Sequence, residues 1–569
     1  MIKKYVDNGP ILNAYPDSVG ETLSDIIVFL QKVEVDGAFQ AFYILPSIFN
    51  TDLDRGFSVI DYGLNELLVS EEDLEVLKKL RIDLILDFVL NHASVLSPQF
   101  QDILIHGKES VYKDFFIDWN QFWEGYGMMT KEGYIQPDDE YISKMFFRKP
   151  GLPILMIRMP DGSHVPYWNT FYQEIRYDLI DELDLMSEMK IQYGIASVLK
   201  KEINDTLKER NSFQNMDLGR YEIYREQIIE LLDKRKKYLG QMDLNIKSAL
   251  VWDYYEQTLK SLAGYGARIV RLDAFAYAPK EPGEKNFLND PGTWNLLSKV
   301  QKLADKYHLQ LLPEIHASYE EKTYELLSRK GYLVYDFFLP GLIIDAFEQK
   351  SGSVIAAWAQ ELYSNKIRVV NMLGCHDGIP ILDLKGLIPE ERIQKLVDII
   401  VGRGGVIKNL HGQKNMYYQV NATYYSALGE DNKKMLLARA IQIFMPGMPQ
   451  VWYLDLFAGK NDFVAMKSAG AGGHKEINRT NLSLDEIEQK MESDVVKQQI
   501  WMLQFRNTFP AFGFESELQI WQEGFLLRLS WSKDGFWACL EIDFSNYNFV
   551  LLGIDSDGKC VYQCCNLQE

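Results

Sequence analysis

Short apolar, β-branched runs recur along the chain, with amphipathic segments between them. The runs are Ile11–Tyr15, Gln40–Leu45, Ile82–Phe88, Ala267–Leu272, Leu309–Pro313, Leu333–Phe338, Arg368–Leu373 and Gln450–Leu454. Each is apolar on both faces, as a strand is when helices cover both sides of a parallel sheet. Segments such as Glu71–Leu80 and Trp294–Tyr307 carry apolar residues at helical spacing and supply that cover. Eight such runs predict an α/β fold, a (β/α)8 TIM barrel, rather than an open sheet.

The spacing breaks once. Roughly 180 residues separate the third run from the fourth, far more than a crossover helix needs. The first part, 94–171, is aromatic and rich in Gly and Pro, and reads as a lobe inserted after the third strand. The second part, 172–240, is charged, lacks Pro, and has helical spacing over Ala196–Arg210 and Tyr221–Tyr238; it reads as a helical insertion. The barrel is then residues 1–93 and 241–511, with an acceptor loop region at about 380–420. After Phe512 short alternating runs, Phe525–Trp531 and Phe536–Ile542, predict an antiparallel β domain over 512–569.

Composition narrows the function. The 569 residues include 60 basic and 80 acidic ones, a formal net charge of −20, which disfavours nucleic-acid and anionic-membrane partners. Five cysteines, Cys375, Cys539, Cys560, Cys564 and Cys565, form neither a disulfide framework nor a zinc spacing. The start lacks a signal-peptide apolar stretch and no run is long enough to span a membrane, so a cytoplasmic location is expected.

Polar residues gather where the strands end. Asp87, Asn91 and His92 end the third run, Arg271 and Asp273 the fourth, Glu314 and His316 the fifth, and His376 and Asp377 follow the seventh. On a barrel those ends share one rim. Paired carboxylates there suit glycosidic-bond chemistry, one attacking the anomeric carbon and the other protonating the leaving oxygen. Metal-dependent hydrolysis competes, but no HxxxH or HxH spacing supports it.

These motifs, with Gly266–Ala274, Pro313–His316 and Cys375–Asp377, resemble the four ordered motifs of the α-amylase superfamily, glycoside hydrolase family 13. Asp54–Tyr62, Tyr418–Gly429, Pro446–Tyr453, Ala458–Asp462 and Ile477–Arg479 resemble its sucrose phosphorylase subfamily, which also holds phosphorylases of sucrose 6′-phosphate, glucosylglycerol and glucosylglycerate. The resemblance implies Asp273 as nucleophile, Glu314 as general acid/base and Asp377 as transition-state stabiliser. It implies that Arg271 keeps Asp273 ionised, that His92 and His376 bind glucosyl hydroxyls, and that Phe171 walls the pocket. Asp54 and Arg479 would close its far end, Gln241 and Gln419 would contact substrate, and Arg148 or Lys149 would handle phosphate.

Three positions depart from that pattern. Gly374 stands where the subfamily usually has Asp, two residues before the catalytic His. Met416 stands where sucrose phosphorylases carry an Asp that contacts fructose, and Met cannot accept a comparable hydrogen bond. Nearby Lys408, His411 and Lys414 would suit a phosphorylated or carboxylated acceptor. The insertion also splits Phe171 from the expected Gln, leaving Gln173 and Gln241 as rivals for one role. The expected function is a retaining glucoside phosphorylase that yields α-glucose 1-phosphate through a covalent glucosyl-enzyme. Inorganic phosphate would be its co-substrate, with no cofactor or metal, and a homo-oligomer would fit. A hydrolase or transglucosidase on the same scaffold, or a silent sugar-binding protein, are the rival readings.

Overall fold

The computed structural model describes residues 7–209, 216–409, 417–470 and 473–566. The eight predicted runs form eight strands, numbered one to eight in chain order. They are Ile11–Ala14, Ala41–Ile44, Asp83–Val89, Ala267–Asp273, Gln310–Pro313, Val334–Asp336, Val369–Met372 and Met448–Trp452. All pairs are parallel, and the ladder runs five, four, three, two, one, eight, seven, six. Neighbours in the ladder are neighbours in the chain, with strand one joined to strand eight, as in a (β/α)8 barrel.

Burial explains why the runs are apolar throughout. Every residue of strands one, two, six, seven and eight is buried. Local signals set the helix ends. Helix Glu71–Lys79 starts at Ser70, whose hydroxyl accepts from Asp73 N while Asp73 bonds back to Ser70 N at 2.8 Å. Its first turn is acidic and its last holds Lys78 and Lys79, matching the helix dipole. The C-terminal domain is a meander of five antiparallel strands from Glu517 to Cys565, in chain order.

The chain divides into two compact units, one of 1–91, 252–279 and 287–569, the other of 92–251 and 280–286. The second unit thus keeps 241–251, which the sequence reading gave to the barrel, and gains a short return segment. The ties are polar. Buried Lys280 pairs with buried Asp243 at 2.7 Å, and Asn286 exchanges hydrogen bonds with the Phe146 backbone.

Within this unit, Trp119, Trp123 and Trp168 pack with Ile117 and Ile135 in one core. A separate core, including Leu185, Leu199, Ile203, Ile228 and Leu231, joins helices Glu182–Met189, Tyr193–Glu209 and Arg225–Lys234. The ends of the predicted helical insertion are strands instead. Gln173–Arg176 pairs antiparallel with Lys237–Asp243, which in turn pairs with His92–Ser94. The helical spacing read over Tyr221–Tyr238 therefore stops early, at Lys234. No helix among the described residues is long and apolar enough to cross a membrane.

Candidate active site

Arg271, near the end of strand four, is the hub of the first unit's charged cluster. Its Nη1 donates to Asp87 Oδ1 at 2.5 Å and to Asp273 Oδ1 at 2.9 Å, and its Nη2 lies 2.7 Å from Glu314 Oε1. Strands three, four and five thus aim three carboxylates at one guanidinium, and register explains it: Arg271 lies opposite Asp87 on one side and Leu312 on the other. The Asp87 side chain is fully buried, whereas Asp273 and Glu314 keep 13% and 14% of theirs accessible. Accessibility separates the carboxylate that supports the arginine from the two that can meet a substrate. The chain turns sharply just after Asp273, where Ala274 takes the left-handed conformation uncommon for a residue with a Cβ.

The turn after strand seven is held through its carbonyls. Asn478 Nδ2 donates to Cys375 O at 2.6 Å, Arg479 Nε to His376 O at 2.9 Å, and Asn421 Nδ2 to Asp377 O at 2.7 Å. Three successive peptide oxygens are thus bound by side chains, which fixes how His376 and Asp377 point. His376 stacks on Phe57, with ring centroids 4.9 Å apart. The predicted pair is formed: Arg479 Nη1 lies 3.5 Å from Asp54 Oδ1, and its Nη2 lies 3.5 Å from Asp377 Oδ1. Asp54 and Arg55 both have positive φ, a strained conformation of a kind found at binding sites.

Sequence reasoning missed Lys475. Its Nζ lies 2.6 Å from Asp377 Oδ1 and 3.8 Å from Asp54 Oδ2, so it shares the Asp377 carboxylate with Arg479. Its closeness in sequence to Arg479, on the 3-10 segment Gly473–Asn478, was the one available signal. Buried Gln419 lies on strand Tyr417–Asn421, which pairs with Ile379–Pro380 just beyond Asp377. His411, Lys414 and Met416 lie outside the described residues, as does the side chain of Lys408.

The second unit carries the remaining predicted residues. His92 is buried with Phe171 at 5.1 Å between ring centroids, and the Arg148 guanidinium sits over the Phe171 ring at 5.6 Å. Gln241 is buried, and its Oε1 accepts from Tyr172 N at 3.1 Å; Gln173 is exposed. Lys149 is drawn inward onto Asn169 Oδ1, and burial pulls its ammonium down to about 8 against the nearby charge of Asp243.

Burial and the charge of Glu314 push the Asp273 carboxyl well above the usual carboxylate range, while Arg271 counters them. Against burial, Arg271 and His316 pull Glu314 down to about 2, so this arrangement of charges favours the pair's proton on Asp273. Burial pushes Asp87 up to about 6, and Arg271 limits the rise. Against burial, the charges of Lys475 and Arg479 hold Asp377 well below its ordinary value. Burial drives His376 down to about 3, leaving it a neutral hydrogen-bonding ring. His316 goes the other way: despite burial, Asp383 and Glu314 raise it to about 9. It therefore stands as a cation behind Glu314, stacked on Phe337. No group of three or more His, Cys, Asp or Glu residues that could hold a metal ion is present among the described residues.

The geometry has close counterparts. The sucrose 6(F)-phosphate phosphorylase of Ilumatobacter coccineus is 46% identical over 97% of this chain and 96% of its own. A protein of the same name from Thermoanaerobacterium thermosaccharolyticum is 32% identical over 96% and 97%. The glucosylglycerol phosphorylase of Marinobacter adhaerens is 27% identical over 95% of both chains. A crystal structure of sucrose 6F-phosphate phosphorylase from Thermoanaerobacter thermosaccharolyticum superposes with a TM-score of 0.79 at 31% identity, covering 98% of each chain. An α-amylase from H. orenii, at 14% identity and a TM-score of 0.59, shares the fold. No protein-family profile matches the chain.

Proposed function

The chain belongs to the sucrose phosphorylase group of glycoside hydrolase family 13, and we propose that it is a retaining phosphorylase of sucrose phosphorylated on its fructosyl unit. The observation that carries the chemistry is the arrangement of Asp273 and Glu314, both part-accessible, on either side of buried Arg271. The relatives that carry the phosphorylated acceptor in their names are 46% and 32% identical, against 26–28% for relatives named for sucrose, glucosylglycerol or glucosylglycerate. Met416 in place of a fructose-contacting Asp, with Lys408, His411 and Lys414 close in sequence, supports an anionic acceptor.

In the first half-reaction donor binding moves the pair's proton to Glu314, which gives it to the glycosidic oxygen as the Asp273 carboxylate attacks the anomeric carbon. The acceptor leaves as an alcohol and a β-glucosyl ester remains on Asp273. In the second, a phosphate oxygen attacks the same carbon from the vacated face, its proton passes to Glu314, and Asp273 departs as carboxylate. Two inversions leave α-glucose 1-phosphate. Arg271 stabilises the charge on Asp273 before attack and after release. Asp377, ionised between Lys475 and Arg479, accepts hydrogen bonds from sugar hydroxyls as the ring distorts, and neutral His376 adds another polar contact. The Asp54–Arg479 pair closes the pocket behind one glucosyl unit. His92, Phe171 and Gln241 keep the glucose-binding roles the resemblance gives them, and Arg148 and Lys149 the phosphate-handling one. Each step uses the chain's own side chains with phosphate as co-substrate.

The test is glucose 1-phosphate formation from sucrose, sucrose 6′-phosphate, glucosylglycerol and glucosylglycerate, with and without inorganic phosphate. Phosphate-dependent product chiefly from sucrose 6′-phosphate is expected. Product chiefly from another donor would overturn the acceptor assignment, and free glucose regardless of phosphate would make this a hydrolase.

A further inference from the structure

Gly374, the first residue after Leu373 beyond strand seven, is a glycine for reasons of space. Its backbone is outside the left-handed region, so conformation does not require it. A Cβ there would lie 2.7 Å from Asp455 Oδ2 and 3.3 Å from Oδ1. Asp455 comes from the short helix Tyr453–Leu456 that follows strand eight, and it is 1% exposed. Its Oδ1 accepts from Tyr424 N at 3.3 Å, and the carboxylate also takes the backbone N–H of Gly374.

A carboxylate buried this deeply needs a reason, because burial alone pushes it up to about 6 against the pull of Arg439. The reason is in what it touches. On one side is the turn that carries His376 and Asp377. On the other is Tyr424, three residues after Asn421, whose side chain binds the Asp377 carbonyl. Asp455 thus contacts, at Gly374, the start of the segment that Asn421, Asn478 and Arg479 hold by its carbonyls.

We propose that Asp455 is a positioning residue for the His376–Asp377 turn, its carboxylate filling from strand eight's side the space left by the missing side chain at 374. The carboxylate that the resemblance expects on strand seven's own turn is thereby supplied by a different segment of the chain. This inference rests on the proposed glycosyl chemistry, since it assigns Asp455 a part in holding the stabiliser carboxylate.

The test moves the carboxylate across the contact. Gly374→Asp alone places two carboxyls in one space and should lower kcat about 100-fold or more, the scale of a displacement of roughly 1 Å at a reacting centre. Asp455→Gly alone should lower kcat about tenfold with KM changed less than about threefold, because Asp377 grips the distorted sugar more than the ground state. The double variant, Gly374→Asp with Asp455→Gly, should return kcat to within about threefold of the parent, a large coupling between neighbours. Asp455→Asn, which keeps the shape and is the variant most certain to fold, should show the same kcat-weighted loss in milder form. A double variant no better than the weaker single, or an Asp455→Asn protein with parental kcat, would overturn the proposal. If the parent turns over no donor in the panel, the functional reading fails on its own. The turn is then read by calorimetric affinity for deoxynojirimycin, whose cationic ring mimics the charge of the distorted glucosyl unit; it should fall in the single variants and return in the double one, and unchanged affinity in the singles would overturn the positioning role.

Discussion

Strands four and six of the barrel both end in aspartate, and the two residues do opposite things. Asp336, closing strand six, is fully buried and takes hydrogen bonds from Trp358 Nε1 at 3.0 Å and from Phe338 N and Leu339 N at 3.1 Å. Those donors tie helix Leu339–Gln349 and helix Ser353–Ser364 to the strand end. Asp273, closing strand four, bonds to Arg271, is set against a second carboxyl and stays partly accessible. Position at a strand end does not make a carboxylate catalytic. What distinguishes the two is whether the donors come from neutral local groups that settle the charge, or from one shared cation that leaves it available.

The largest expected effect breaks the comparison at Asp273. Asp273→Asn should lower turnover by about 10⁴-fold or more while thermal unfolding is little changed, since shape is kept and the nucleophile lost. Parental turnover in a folded Asp273→Asn protein would contradict its role. Glu314→Gln comes next, with a loss of about 10²–10⁴-fold on the natural donor. The loss should be far smaller with α-glucosyl fluoride, whose leaving group needs little protonation; equal losses on both donors would count against Glu314 as the acid.

Asp336→Ala sharpens the contrast from the other side. Three donors lose their acceptor, so urea unfolding should show a cost of about 1–3 kcal/mol for each donor left unpaired, with kcat of the folded fraction unchanged. A selective loss of kcat without loss of stability would place Asp336 in the chemistry. The smallest effect concerns His316, raised from 6.5 to about 9 by its carboxylate partners. A raised value stabilises the fold fully below about 6.5, and the contribution disappears as pH climbs through about 9. The unfolding midpoint should therefore decline over that window in the parent and decline less in His316→Gln.

The sequence made the barrel and the chemical centre legible for the same physical reason. Strands buried on both faces must be apolar along their length, so Arg271, Asp273 and Glu314 stood out at their ends. Lys475 did not stand out, because it reaches Asp377 from a 3-10 segment with no apolar run to mark it. Asp455 was hidden likewise: it faces Gly374 from a helix of four residues some eighty positions later. The insertion was misread at its ends, where Gln173–Arg176 and Lys237–Asp243 pair with each other across about sixty residues. Such a non-local ladder leaves only short, partly charged strands in the sequence, and period-two alternation is weak there. The ribbon also separates the two rival glutamines, burying Gln241 and leaving Gln173 exposed.

The central claim is a double displacement on Asp273, and the anomeric configuration of the first-formed product reads it directly. Proton NMR of the reaction of sucrose 6′-phosphate with inorganic phosphate, recorded before the sugar phosphate can equilibrate, should show α-glucose 1-phosphate. Initial formation of the β anomer would mean a single displacement by phosphate, and would contradict the covalent role given to Asp273.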